Sequence, residues 1–524
     1  MRKVTIYDTT LRDGAQTEGI SYSVNDKILI AKKLDELGVD FLEGGWPGSN
    51  PKDLEFFKAI KKIHFKNTEV AAFGSTRRKD TPASKDLILK ALVNSGVKHI
   101  TIFGKSWDLH VKDVLMTSLD ENLRMITDTI KFIRLKKIKA FFDAEHFFDG
   151  YKNNPEYALK TLIAAQDAGA QCVILCDTNG GTITSDVKEI ISRIKESISV
   201  DLGIHVHNDN GMAVANSIAA VEAGCSHVQG TINGYGERCG NADLCAIIAC
   251  LELKLKMKTI GHARLKELTE VSRYVSEVSN MKQQDNQPFV GTSAFAHKAG
   301  VHINAMVKNA QSYEQILPET VGNKRRFLAS ELAGKTSILF KAKQLSFDLG
   351  KNDKSTKKLH KQIQELEYEG YQFEAAEASF ELLIKKTLKK FNKFFELDGF
   401  RVIVEKRQDD TLISEATVKI KVGKTRVHAA CEGDGPVNAL DGALRKALRD
   451  FYPELSGMHL SDFKVRVLDS KAGTAAKVRV FIESQDEKNS WWTVGVSENI
   501  IEASWQALVD SIEYKLLKEK ETKK

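Results

Sequence analysis

From the N-terminus to about residue 260, short runs of β-branched and apolar residues recur roughly every thirty residues, with helix-length amphipathic stretches between them. The alternation predicts eight strands: Val4–Asp8, Asp40–Gly44, Glu69–Phe73, His99–Phe103, Lys139–Asp143, Gln171–Cys176, Gly203–His207 and His227–Ile232. Among the intervening stretches, Asn25–Gly38 sets Ile28, Ile30, Ala31, Leu34 and Leu37 at helical spacing. Pro155–Gly169 closes on a glycine suited to a helix C-terminus. Eight βα units suit a closed (β/α)8 TIM barrel better than an open Rossmann sheet, which usually has fewer strands and one clear glycine fingerprint. Function then belongs on the loops that follow the strands.

The barrel is assigned to residues 1–275, where the strand rhythm stops. Residues 276–395 carry helical patterns and polar connectors, including a long amphipathic stretch from Leu359 to Phe395, and read as a helical linker arm. From residue 396 two similar units follow. The first is Phe400–Glu405, Glu415–Val422 and Arg426–Cys431 with a helix from Pro436 to Phe451; the second is Phe463–Leu468, Ala475–Glu483 and Trp491–Val496 with a helix from Asn499 to Tyr514. The repeat predicts a pseudo-twofold α+β domain over 396–524. Such a domain can present helix N-termini or a groove to a small ligand, or it can serve only to dimerise the chain.

Composition narrows the class. With 42% hydrophobic and 28% charged residues among 524, the chain has the make-up of an ordinary globular protein, not of a disordered or collagenous one. No apolar run approaches the roughly 18–20 residues of a membrane helix, and Met1-Arg2-Lys3-Val4 leads into a strand without a signal-peptide core, so a cytoplasmic protein without membrane partners is expected. The seven cysteines are odd in number and form no CxxC pair, which predicts buried thiols and neither bridges nor zinc ligands. The net charge of +7 arises from 77 basic and 70 acidic residues that are well interspersed. The basic stretches Lys351–Lys361 and Lys518–Lys524 therefore read as solvated surface, and no nucleic-acid partner is expected.

The strand ends carry the chemistry. The first runs into Asp8-Thr9-Thr10-Leu11-Arg12-Asp13-Gly14, a cation beside an anion at the barrel mouth, equally readable as a loop salt bridge. The seventh supplies His205-Val206-His207-Asn208-Asp209. Residues i and i+2 on a strand share a face, so both imidazoles can converge on one ion while Val206 turns to the other layer. Asp13 adds a carboxylate, and strands one and seven are separated only by strand eight in a closed barrel. The following loop, Gly234 to Asn241, can bring in the Asn241 amide oxygen. A mixed imidazole and oxygen set suits Mg2+, Mn2+ or Zn2+ as a Lewis acid. The Gly234, Gly236, Gly240 spacing is one residue too long for a dinucleotide fingerprint. Other strand ends are polar as well: Glu43, Arg77 and Arg78, Glu145 and His146, and Asp177, Thr178 and Asn179.

Taken together, Asp8 to Gly14, His205 to Asp209 and Gly236-Glu237-Arg238-Cys239-Gly240-Asn241 resemble the acetyl-CoA-dependent family of 2-isopropylmalate, homocitrate and citramalate synthases. The resemblance covers nearly the whole chain. Gly433-Asp434-Gly435-Pro436-Val437-Asn438-Ala439-Leu440 looks like the family's allosteric amino-acid-binding domain, and Glu43 to Asp53 looks most like the citramalate branch. The resemblance implies condensation of acetyl-CoA with pyruvate at a metal held by Asp13, His205 and His207, with Asn241 as a fourth or more distant ligand. It also implies Arg12 as the group that stabilises developing negative charge and Thr178 as a hydrogen-bond donor to the keto-acid carboxylate. His297-Lys298-Ala299-Gly300-Val301-His302-Ile303-Asn304 resembles the family's segment with a catalytic histidine, which implies His302 as the base or part of a proton relay, Glu145 as its barrel partner and Tyr313 as a polar assistant. A homodimer and feedback by isoleucine are further implications.

Three other readings stand beside this one. A 2-isopropylmalate synthase would run the same chemistry on 2-oxoisovalerate, distinguished by the pocket volume around the keto-acid methyl. A metal-dependent lyase or carboxyltransferase barrel would not usually carry the repeated terminal domain. A non-catalytic amino-acid sensor would have no reason to keep Arg12, Asp13, His205, His207 and His302.

Overall fold

The structure, a computed structural model, describes residues 2–298, 300–327, 342, 353–468 and 476–522. Of the positions singled out above, Met1, Ala299, Lys351, Asn352, Ala475, Lys523 and Lys524 lie outside the described residues. The chain divides into two compact units, Met1–Phe295 with Ile316–Arg325, and Ala296–Gln315 with Arg326–Lys524.

The first unit is a closed parallel barrel of β1 Thr5–Asp8, β2 Phe41–Glu43, β3 Glu69–Ser75, β4 His99–Lys105, β5 Lys139–Glu145, β6 Cys172–Asp177, β7 Asp201–Val206 and β8 His227–Gly230, with β8 pairing back onto β1. Alternation along each strand sorts the side chains into two layers. Ile6, Leu42, Ala72, Ile100, Phe142, Val173, Ile204, Val206 and Val228 face outward into the large core shared with the helices. Tyr7, Ala71, Phe141, Cys172, Ile174 and Cys176 fill the lumen. The helices begin and end where local chemistry dictates. The one over Val24–Leu37 starts in a capping box formed by Ser23 and Asp26 and stops at Gly38, whose φ of 86° suits glycine.

The eight predicted barrel strands are observed to within two residues at each end. The amphipathic stretch from Leu359 is not one helix: Lys354–Glu369 ends at Gly370, with φ 115°, and a separate helix runs over Glu377–Thr387. A Cβ on Gly370 would lie 2.2 Å from Leu468 Cδ1, so that turn also needs glycine for space.

In the second unit, Glu396–Lys406, Leu412–Val422 and Thr425–Gly433 form one antiparallel sheet, and His459–Val467, Val478–Gln485 and Ser490–Ser497 form another. Both first strands carry a register shift near their start, at Leu397/Gly399 and at Leu460/Asp462. The helices Pro436–Leu448 and Ile500–Thr522 share a single apolar core with both sheets, through Leu440, Leu444, Val418 and Ile420 on one side and Leu508, Ile512, Val480 and Ile482 on the other. The expected repeat is thus present, its last helix longer than the pattern indicated. Among the described residues, no helix is long and apolar enough to cross a membrane. The cysteines are all free thiols, but only Cys172, Cys176, Cys225 and Cys245 are buried; Cys250 and Cys431 are partly exposed, and Cys239, in the loop after the last barrel strand, is exposed.

Candidate active site

A cavity of about 240 Å³ opens at the C-terminal end of the strands, lined by Arg12, Asp13, Glu145, Thr178, His205 and His207 together with Trp46, Phe73, Phe103 and Asp143. Val206 faces the outer core, and the two imidazoles flanking it are buried on the inner face, as the i, i+2 spacing requires. His205 Nε2 and His207 Nε2 stand 3.4 Å apart, and Asp13 Oδ2 lies 3.5 Å from the first and 3.9 Å from the second. Donors sharing one ion at bonds of about 2.1 Å are separated by about 3.0–3.4 Å, so the spacing is close to that of a coordination sphere. Among the described residues, this is the one such group of three His, Cys, Asp or Glu donors.

Two orphaned atoms reinforce the fit. Asp13 Oδ1 and Asn241 Oδ1 are buried without a hydrogen-bond partner, a cost that a cation removes. Asn241 is brought in by the loop after β8: its backbone bridges to His207, and its Nδ2 donates to Tyr235 O at 3.1 Å. Gly240 takes φ 88°, and a Cβ there would stand 2.0 Å from Gly234 O, so this approach depends on glycine. Arg238 clamps the same loop, pairing with Asp209 at 2.8 Å and donating to Thr178 O at 2.8 Å.

The electrostatics favour a cation. Burial would raise the Asp13 carboxyl, but Arg12, His205 and His207 outweigh it and hold the group well below the ordinary range, as a carboxylate. Burial pulls His205 down to about 3 and lowers His207 too, keeping both imidazoles neutral and able to ligate. Arg12 donates from Nη1 to Asp13 at 2.9 Å and from Nε to Glu43 at 2.5 Å, and its guanidinium lies 3.8 Å from the centre of the Phe73 ring. The sequence-level alternative, a loop salt bridge, describes only part of this arrangement. Glu43 is fully buried, and it also accepts from Tyr7 and Thr9 at 2.8 Å each.

Thr178 Oγ1 accepts the His146 N–H at 2.9 Å, which leaves its own hydroxyl proton to donate into the cavity. Glu145 pairs with Lys105 at the rim. His302 and Tyr313 belong to the second unit, where their rings stack with centroids 4.1 Å apart. Arg77 and Asp177 turn out to serve the scaffold: Arg77 pairs with Glu121 and Asp128, and Asp177 caps its own loop through Thr182.

Some residues escaped the sequence reading. Asp143 and Gln229 are buried lumen residues, and inward alternation on β5 and β8 from Glu145 and His227 would have found them. The aromatic wall carries no local signature. Phe73 and Phe103 stack at 5.3 Å, and Trp46 meets both edge-on at 5.9 and 5.6 Å. The Trp46 loop is fixed by Asp53, which accepts the Trp46 N–H at 2.8 Å and pairs with buried Lys27.

Fold and site thus combine a closed barrel with a buried Asp–His–His cluster that could hold a metal ion, beside a small, arginine-bearing pocket. Residues 3–275 match the HMGL-like family, 289–370 the homocitrate synthase post-HMGL domain-like family, and 374–516 the LeuA allosteric (dimerisation) domain. The chain is 54% identical to the (R)-citramalate synthase of Geobacter sulfurreducens over 522 residues, covering 99% of each chain. It is 54% identical to that of Aquifex aeolicus over 521 residues, again covering 99% of each. A 2-isopropylmalate synthase of Methanocaldococcus jannaschii is more distant, at 34% over 514 residues, covering 97% of this chain and 94% of the relative. The chain belongs to the (R)-citramalate synthase family.

Proposed function

We propose that this protein condenses acetyl-CoA with pyruvate to give citramalate and free CoA, as a step towards isoleucine. The observation that carries the reading is the convergence of Arg12, Asp13, Thr178, His205 and His207 on one cavity walled by Trp46, Phe73 and Phe103. A rigid aromatic wall leaves room for a methyl group more readily than for the isopropyl group of 2-oxoisovalerate.

Asp13, His205, His207 and Asn241 would hold Mg2+, Mn2+ or Zn2+, and the bound cation supplies Lewis-acid polarisation of the keto group. Thr178 donates to the pyruvate carboxylate and fixes the orientation of the keto carbon. His302 removes a proton from the acetyl methyl group, with Glu145 as its partner and Tyr313 as a polar assistant. The resulting carbanion-like carbon attacks the keto carbon, and the new C–C bond leaves negative charge on the former keto oxygen. Arg12, with its charge held in place by Glu43 and the Phe73 face, compensates that charge before the oxygen is protonated. Water then cleaves the thioester of citramalyl-CoA, releasing CoA and making the reaction effectively irreversible. A homodimer is the expected active unit, with isoleucine acting on the repeated domain over 396–524.

The test is release of free thiol from acetyl-CoA with Mg2+ or Mn2+ and either keto acid. Much faster release with pyruvate is expected. Equal or reversed rates would reject the pyruvate assignment and favour 2-oxoisovalerate.

A further inference from the structure

Among the polar groups of the lumen, one chain of hydrogen bonds lies outside the proposed chemistry. His205 Nδ1 stands 2.9 Å from Gln229 Oε1, and Gln229 Nε2 donates to Asp143 Oδ1 at 3.0 Å. All three residues are almost fully buried, and they project inward from β7, β8 and β5. Each link in this chain has a direction. Gln229 stands with its amide nitrogen towards Asp143 and its oxygen towards His205, and an Asp143 that is ionised, or neutral with its proton on Oδ2, can only accept at Oδ1. An amide oxygen only accepts, so the proton of a neutral His205 must sit on Nδ1. Nε2 is then left as a lone pair, aimed at the side where Asp13 and His207 converge.

His207 is held differently. Its Nδ1 is buried without a hydrogen-bond partner, so no comparable group fixes its tautomer.

We propose that Gln229, set by Asp143, is a positioning residue that locks His205 into the metal-ready tautomer before any ion arrives. The inference rests on reading Asp13, His205 and His207 as metal ligands. Pre-setting one imidazole lowers the reorganisation needed on binding, and partners of this kind are typically worth 10–100-fold in metal affinity.

The experiment uses full-length metal-free protein. Mn2+ binding is measured by calorimetry, and the His205 ring nitrogens are observed by 15N NMR of histidine-labelled protein, with the signal assigned through H205Q. Gln229→Met is expected to weaken Mn2+ binding by about 10–100-fold and to turn the His205 signals from a single Nδ1–H form into a mixture of tautomers. The double variant D143N/Q229E restores the polarity of the chain: the amide introduced on β5 donates to the carboxylate introduced on β8, whose other oxygen accepts from His205. It is expected to recover both the single tautomer and most of the affinity.

Wild-type affinity and an unchanged tautomer in Q229M would overturn the proposal. If Q229M does not fold, the double variant decides: recovery supports the assignment, and a mixed tautomer with weak binding rejects it. Should H207A leave Mn2+ binding intact, the ligand reading itself fails, whereas the tautomer comparison in metal-free protein still judges the role of Gln229.

Discussion

Replacing Phe103 with alanine tests whether the aromatic wall selects the keto acid. Phe103 is half-buried, stacks on Phe73 at 5.3 Å and meets Trp46 at 5.6 Å, and it lines the cavity that also contains Arg12, His205 and His207. 2-Oxoisovalerate differs from pyruvate by two additional carbons on the methyl side. A site with room for them gains about 0.8 kcal/mol per buried carbon, or about 1.6 kcal/mol for both. That corresponds to roughly 15-fold in kcat/KM, a gain the intact wall denies. Removing the ring is therefore expected to raise the ratio of kcat/KM for 2-oxoisovalerate over pyruvate by at least about 15-fold, chiefly by improving the bulkier substrate. Phe103 is the better probe than Phe73, whose ring carries the Arg12 guanidinium at 3.8 Å. Steady-state thiol release with both keto acids gives the ratio. An unchanged ratio, with both substrates slowed alike, would refute the assignment of selectivity to this wall.

Other perturbations follow from the same geometry. Arg12→Gln removes the cation facing the former keto oxygen and should lower kcat by about 10²–10³-fold with a smaller change in pyruvate KM; a kcat within about threefold of wild type would count against its role. His302→Ala should abolish turnover while pyruvate binding, followed by calorimetry, stays near normal, and loss of that binding would contradict a place on the acetyl-CoA side. His227 is buried in the lumen beside Tyr7, Phe41 and Phe141, and burial pulls its imidazole from 6.5 to about 3. Because the unfolded state binds the proton first, its stability contribution is intact above about pH 6.5 and is lost as the pH falls towards 3, by about 2 kcal/mol at pH 5. Urea titrations at about pH 8 and pH 5 should therefore show His227→Phe losing about 2 kcal/mol less than wild type; equal losses would refute the argument.

The barrel was legible because its signals are periodic and local. Alternation within Ile204-His205-Val206-His207 fixes which side chains look inward, and the rule that barrel sites lie where strands end pointed to Arg12 and Asp13. The histidine pair at the end of β7 and the carboxylate in the loop after β1 needed only the closure of the barrel to meet. What the pattern did not reveal depends on tertiary contact. Trp46, Phe73 and Phe103 come from three different strand ends, and an aromatic residue there reads as ordinary core until the loops are folded. Gln229 looked unremarkable in His227-Val228-Gln229-Gly230, since its meaning lies in facing Asp143 and His205 across the lumen. Arg77, a charge at a strand end equally open to a structural or a chemical role, is engaged in the scaffold by Glu121 and Asp128.

The central claim is that three side chains remote in sequence hold one divalent cation. Anomalous diffraction from crystals grown with Mn2+ tests it most directly. The account predicts one strong peak per chain within bonding distance of Asp13, His205 and His207, and its loss in H207A; a peak elsewhere, or an undiminished peak in that variant, would contradict it.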